Sequence, residues 1–218
     1  MLLALETATN VCSVAFKDEE GNIFEKRTEK RGSHSEQLFL FVEKLMQEQN
    51  FAIQDLEAVL VSEGPGSYTG LRISASAVKG LLFQTEVPLY GINTLASFAM
   101  QAVEENPDAD NIHSIIDARR VHVYHQKFSF SDDRLSSNDN VEVIPIEAFE
   151  SMVRSGDTII GTGLNRISES IKQKAVIFGQ KFITSSSLIR VFRGEGSDFY
   201  KKVDPESFDP KYYTSNQV

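Results

Sequence analysis

The chain predicts an α/β fold in two lobes, and three observations carry that prediction. Apolar runs with period-two alternation, separated by polar turns, open the sequence as a strand meander. From residue 56 to residue 105, a strand, a glycine-rich loop, a helix, a strand and a helix follow in turn. Asn106-Pro107-Asp108 then breaks the pattern, and a second hairpin begins. The expected division is residues 1–105 and a smaller lobe at 106–218.

Residues 2–5 and 11–16 read as strands around the polar turn ETATN, and residues 23–28 as a third strand after DEEGN. Residues 33–50 read as a helix. Ser33 and Glu36 have capping-box spacing. Its apolar positions Leu38, Phe41, Val42 and Leu45 form one stripe, which Phe39 and Met46 widen, while Leu40 lies on the far side. One core needs a stripe of roughly 100°, so this helix is expected to have two apolar neighbours. Residues 56–62 are a β-branched strand, 71–84 a second helix, 89–92 a strand and 94–105 a third helix. In the second half, 112–117 and 121–130 read as strands, 131–140 as a polar loop, 146–154 as a short helix and 158–160 as a strand. Residues 164–174 and 185–192 read as helices. The tail at 195–218 has no firm assignment, and packing back on the first lobe is one option. Each half opens alike: an apolar strand ends in an acid, ALE in one and IID in the other, and runs into a hairpin.

Composition narrows the function. Net charge is −9 over 218 residues, and phosphate-backbone affinity comes mainly from Lys and Arg. The whole chain is therefore a poor nucleic-acid binder, although a local patch such as Arg119–Arg120 could still touch RNA. The single cysteine, Cys12, excludes an internal disulfide framework and fits a reducing compartment. The N-terminal run turns polar at Glu6, too early for a secretory signal or a membrane span. A cytoplasmic location without membrane contact is the expectation.

Two segments invite chemistry. Glu6, Thr7 and Thr9 end the first strand, where an acid and hydroxyls can hold metal-bound water or phosphate. They equally make a turn bonded to its own backbone. Gly64, Gly66, Ser67 and Gly70 lie between a strand and a helix, which suits an anion cradle or a tight turn. The glycine spacing matches neither a Walker A loop nor a dinucleotide fingerprint. Small residues continue along the helix at Ser74, Ala75, Ala77 and Gly80, as close approach of a neighbouring backbone requires. Metal catalysis is not expected. His34 is followed at i+4 by Leu38, His122 and His125 point to opposite faces of a strand, and His113 stands alone. No hydrolytic triad can be composed, because Ser67 lies in no nucleophile elbow.

The residues LETATNVCSVAF, GSHSEQLFLFVEKL, EGPGSYTGLRISASAVKGL and IIDARRVHVYHQKF, in that order, resemble the motifs of the bacterial TsaB (YeaZ) family of tRNA threonylcarbamoyladenosine biosynthesis proteins. DPKYY near the C-terminus is a fainter match. The resemblance implies an actin-like (ASKHA, ribonuclease H-like) fold with a reduced second lobe. It implies a non-catalytic subunit that pairs with a TsaD-like catalytic paralogue through its first two helices. A TsaE-like ATPase completes such a complex, tRNA is met only within it, and homodimers are an option. It implies no cofactor of its own, ATP and a divalent metal entering through partner subunits. The interface it implies comprises Ser33, His34, Leu38, Phe39, Val42, Leu45, Met46, Arg72, Ser74, Ala77 and Leu81. Glu6, Thr7, Thr9, Gly64, Gly66 and Ser67 would be vestigial phosphate loops. The chain departs from the family pattern at Glu6, Tyr68 and Ser74, where Asp, Phe and Gly are usual. The rival reading is an enzyme, either an ATP-binding ATPase or kinase of the same fold or a glycoprotease-like hydrolase. Gly161-Thr162-Gly163 would then be the remnant of an adenosine loop.

Overall fold

A computed structural model describes residues 1–30, 32–194 and 197–214. Residues 195, 196 and 215–218 of the tail lie outside the described residues.

The first lobe is built on β1 (Leu2–Glu6), β2 (Cys12–Lys17) and β3 (Ile23–Thr28), an antiparallel meander. Then come α1 (His34–Gln49), β4 (Ala58–Gly64), α2 (Tyr68–Leu81), β5 (Leu89–Asn93) and α3 (Thr94–Glu105). β4 pairs parallel with β1, and β5 parallel with β4. β1 and β4 are buried at every position. A central strand covered on both faces reads as a continuous apolar run, and LLALE and AVLVSEG do. The period-two rule sorts their side chains. Leu3, Leu5, Val59 and Val61 meet Leu38, Val42, Leu45, Ala77 and Val78 of α1 and α2. Leu2, Ala4 and Leu60 face the other way, toward α3 and the second sheet.

The second sheet holds β6 (Asn111–Asp117), β7 (His122–Ser131), β8 (Arg134–Ser136), β9 (Glu142–Pro145), β10 (Thr158–Gly161) and β11 (Val176–Phe178). Its order, β11-β10-β6-β7-β8, repeats the winding β5-β4-β1-β2-β3 of the first. Like-for-like strands β1 and β6 end in Glu6 and Asp117. The repeated winding in two sheets agrees with the two-lobed actin-like fold expected from the sequence. Short helices α4 (Ile146–Met152) and α5 (Glu169–Lys174) cover its outer face, packing Phe149 and Ile171 over Ile115, Val123 and Ile159. The helix α6 (Ser186–Arg193) lies beside α3 between the sheets. β12 (Tyr200–Val203) then returns to the first sheet and pairs antiparallel with β5.

Three local readings are corrected. Ser33 precedes α1 but forms no capping box. Its hydroxyl donates to the Lys30 carbonyl at 2.7 Å instead. The second helix begins at Tyr68 rather than residue 71, because Ser67 Oγ accepts from the Gly70 amide at 3.3 Å and caps it. The stretch 131–140, expected as loop, contains β8, which pairs with the end of β7 across the two-residue turn Asp132-Asp133. Both aspartates have positive φ, and the turn lacks the glycine that usually marks such a hairpin in a sequence.

His113 is not alone. β6 and β7 pair antiparallel, and their register brings His113 Nδ1 to 3.0 Å from His125 Nε2. His113 Nε2 lies 3.2 Å from Asp157 Oδ2, and Phe149 packs against both rings. Asp157 also accepts from the Arg154 amide at 2.7 Å. An ionised carboxylate only accepts, so His113 donates through Nε2 and accepts through Nδ1, and His125 donates to it. Burial pushes the His125 imidazole down to about 3, assisted by the neighbouring His113 and Lys127. Burial also lowers His113, against the opposing pull of Asp157.

A depressed histidine takes up protons on unfolding. Stability is therefore full above the ordinary histidine pKa and falls as pH drops toward the folded value. His125 alone should remove about 2 kcal/mol of stability between pH 7 and pH 5. His125→Gln keeps an N–H donor and cannot be protonated. Urea unfolding at the two pH values should show a smaller loss for this variant than for the parent. Equal losses would exclude His125 as the source.

Candidate functional site

The glycine loop is welded to the β1–β2 turn. The Ser67 amide donates to the Ala8 carbonyl at 2.6 Å, and Thr7 Oγ1 donates to the Gly70 carbonyl at 2.9 Å. A Cβ at Gly66 would strike Ala8 O, one at Gly70 Thr7 O, and one at Gly64 Lys211 O. Gly64 also has φ 117°, a left-handed conformation that favours glycine. The chain's own backbone already fills the space that these glycines leave. The second lobe repeats the device. A Cβ at Gly161 would strike Ile115 O, and Thr162 Oγ1 accepts from the Asp117 amide at 3.1 Å.

A cleft of about 1040 Å³ opens between the two turns. Thr9, Gly66 and Ser67 reach its wall from the first lobe, and Asp117, Arg119 and Thr162 from the second. Glu6 and Thr7 do not: both are fully buried behind it. Glu6 Oε1 accepts from the Ala8 amide at 2.6 Å, while Oε2 has no partner. Burial pushes its carboxyl up to about 7, against that hydrogen bond. Burial, helped by Glu6, raises the Cys12 thiol to about 12, far from a reactive thiolate. Asp117 is ion-paired with Arg166. A magnesium nucleotide fits these residues poorly. One acid faces the interior and the other is already neutralised. Among the described residues, no three His, Cys, Asp or Glu side chains converge as metal ligands.

The outer layer of α1 and α2 divides the expected interface residues into buried and exposed. Leu38, Val42 and Leu45 are buried in the chain's own core, as are Ser74 and Ala77. Ser33 and His34 are buried too, and His34 Nε2 lies 2.9 Å from the Thr9 carbonyl. Met46 and Leu81 pack partly against the core. Phe39 and Arg72 do reach the surface. Arg72 sits 4.4 Å over the Tyr68 ring, and its Nε is 3.4 Å from Tyr212 Oη. The apolar stripe of α1 thus has both its neighbours within the chain, the sheet and α2, and the excess beyond it is Phe39 at 49% exposure and Leu40 at 37%. Tyr68 and Phe83 join the surface layer, Phe83 at 67% exposure. A Cβ at Gly80 would meet nothing. Phe39 and Leu40 were visible as departures from the helical stripe. Phe83, beyond the end of α2, carried no periodic signal.

Among the described residues, no helix is long and apolar enough to cross a membrane. A family model described as TsaD, tRNA N6-adenosine threonylcarbamoyltransferase, matches residues 26–203. The tRNA threonylcarbamoyladenosine biosynthesis protein TsaB of Haemophilus influenzae is 33% identical over 125 residues, which cover 56% of this chain and 51% of that protein. TsaB of Escherichia coli is 29% identical over 166 residues, 74% of this chain and 71% of that one. The chain thus spans from about half to about seven-tenths of these curated relatives. The structure titled YeaZ from Pseudomonas aeruginosa superposes with a TM-score of 0.78 at 26% identity, covering 97% of this chain and 99% of that one. With a family model running through both sheets and a solved relative of the same shape from end to end, the chain belongs to the TsaD family and, within it, to the TsaB/YeaZ proteins.

Proposed function

We propose that the chain is a non-catalytic scaffold or activator subunit of the complex that adds threonylcarbamoyl to the adenosine beside the anticodon of tRNA. It acts by dimerising with a TsaD-like catalytic paralogue. The observation that carries this reading is the outer layer of α1 and α2, where Phe39, Leu40 and Phe83 are exposed beside a helix whose Gly80 faces open space. Large apolar side chains left in water along two adjacent helices suit an interaction face, and a bare glycine there lets a second backbone approach. His34 and Leu38 add support. The position where a metal-binding helical pair needs its second histidine holds a buried leucine. In this reading the protein is cytoplasmic, has no cofactor of its own, and meets tRNA and a TsaE-like ATPase only through the complex. A homodimer would use the same helices and so compete with the paralogue.

Two measurements test the reading. Co-expressed paralogue should co-purify with the chain at one-to-one stoichiometry. Calorimetry of the isolated chain with ATP and magnesium should show no saturable heat in the micromolar range. Micromolar binding with turnover by the isolated chain would overturn the scaffold reading in favour of an ATP-using enzyme.

A further inference from the structure

The turn between β6 and β7 carries Arg119 and Arg120, both exposed. Their backbones lie in the left-handed region, at φ 70° and 51°. L side chains seldom adopt that conformation, and glycine or asparagine would hold the turn more cheaply. Two guanidinium groups stand there instead. Among the described residues neither has an ion-pair partner. The nearest acid in sequence, Asp117, is ion-paired with Arg166 and also accepts the Arg119 amide at 2.8 Å.

The turn forms one wall of a pocket of about 300 Å³, completed by His122, Tyr124, Val143 and Tyr213. Tyr213 arrives from the C-terminal strap, which is anchored twice. Phe208 is buried in the first lobe's core, and the Lys211 amide donates to the Glu63 carbonyl at 2.7 Å. No acidic residue lines the pocket. In a chain of net charge −9, a pocket with two unpaired arginines, two phenol rings and no carboxylate is an exception to the surrounding electrostatics.

We infer that this pocket binds a phosphodiester and its unstacked base, one nucleotide of an RNA strand. Guanidinium forks match phosphate oxygens. Tyrosine faces stack on splayed bases, the usual means by which proteins grip single-stranded RNA. An acidic peptide would use the arginines but leave the rings without a role. The volume is at the low end for enclosed ligands, which suits one base and excludes a duplex. The inference rests on the scaffold reading, because a chain this acidic needs a partner to bring RNA close. It adds to that reading a direct contact on this subunit, outside the α1–α2 layer.

The test uses the complex of this chain with its catalytic paralogue and a labelled anticodon stem-loop RNA, followed by anisotropy at several salt concentrations. Arg119→Gln with Arg120→Gln should weaken binding about tenfold. It should also reduce the slope of log affinity against log salt by about 1 to 2. Tyr213→Ala should weaken binding by a similar factor with the slope unchanged, and Tyr213→Phe should restore it. Affinity and slope indifferent to the arginine pair would overturn the site. Displacement of the RNA by adenosine monophosphate alone would reassign it to a free nucleotide, and displacement by polyglutamate but not by RNA competitor to an acidic peptide. Both results count against the inference. If the wild-type complex does not form, the scaffold reading fails, and the same variants are compared on the isolated chain at low salt.

Discussion

Phe39→Glu combined with Phe83→Glu should weaken the paralogue complex at least about 30-fold, since truncating an aromatic anchor typically removes about 2 kcal/mol or more of binding energy. The monomer should keep its stability within about 0.5 kcal/mol, because both side chains already face water. Leu38→Glu, one residue away on the same helix, should do the opposite. Leu38 is fully buried among Leu3, Leu5 and Phe41. A carboxylate there loses the leucine's burial and has no partner, at a cost of about 4 kcal/mol or more. That is a large share of the roughly 5–15 kcal/mol that holds a domain together. Urea unfolding and a pull-down, run on both variants, separate the two roles of α1. If the surface pair leaves complex formation intact, the docking face lies elsewhere.

Gly70→Ala should destabilise the chain by about 2–3 kcal/mol, although alanine is the better helix former by about 1 kcal/mol. Its Cβ would strike the Thr7 carbonyl, so the head of α2 must withdraw from the β1–β2 turn. Withdrawal breaks the bond from Thr7 Oγ1 to the Gly70 carbonyl and disturbs the Ser67 cap. Gly80→Ala on the same helix meets open space and should stabilise the monomer by about 0.5 kcal/mol. If the docking reading holds, the same methyl should weaken the complex. The two variants share chemistry and helix, so a common sign for both in urea unfolding would contradict the packing account of Gly70.

Much of the fold was legible in the sequence, for local reasons. β1 and β4 read as strands because burial on both faces demands an unbroken apolar run. The third helix is marked by its own apolar positions, from Leu95 to Val103. The echo of ALE and IID proved to be the echo of two sheets with the same winding. β9 and β12 were harder, because their partners β7 and β5 lie farther off along the chain. Ser185, the residue before α6, is tied to Ser13 of β2 at 2.6 Å across most of the chain.

The candidate site divides in the same way. The glycines announced a tight turn, since nothing but a backbone demand explains three of them in seven residues. They could not say that Ala8, Thr7 and Lys211 fill the space, because an anion and a carbonyl oxygen ask the same geometry of a loop. Likewise, Leu38, Val42 and Leu45 signalled a buried face without saying whose. A partner helix and the chain's own sheet leave the same apolar stripe, and only the tertiary structure assigned it to the sheet.

By itself, the sequence determined the α/β class, the hairpin opening each half, the glycine-tight turn and the absence of a paired-histidine metal helix. Each follows from residue spacing along one element. The tertiary structure decided which apolar side chains remain for a partner, that Glu6 turns inward, that His113 meets His125 and Asp157, and that Tyr213 closes a pocket over Arg119 and Arg120. Each of these depends on strand register and on the path of a returning strap, which bring together residues that carry no local record of one another.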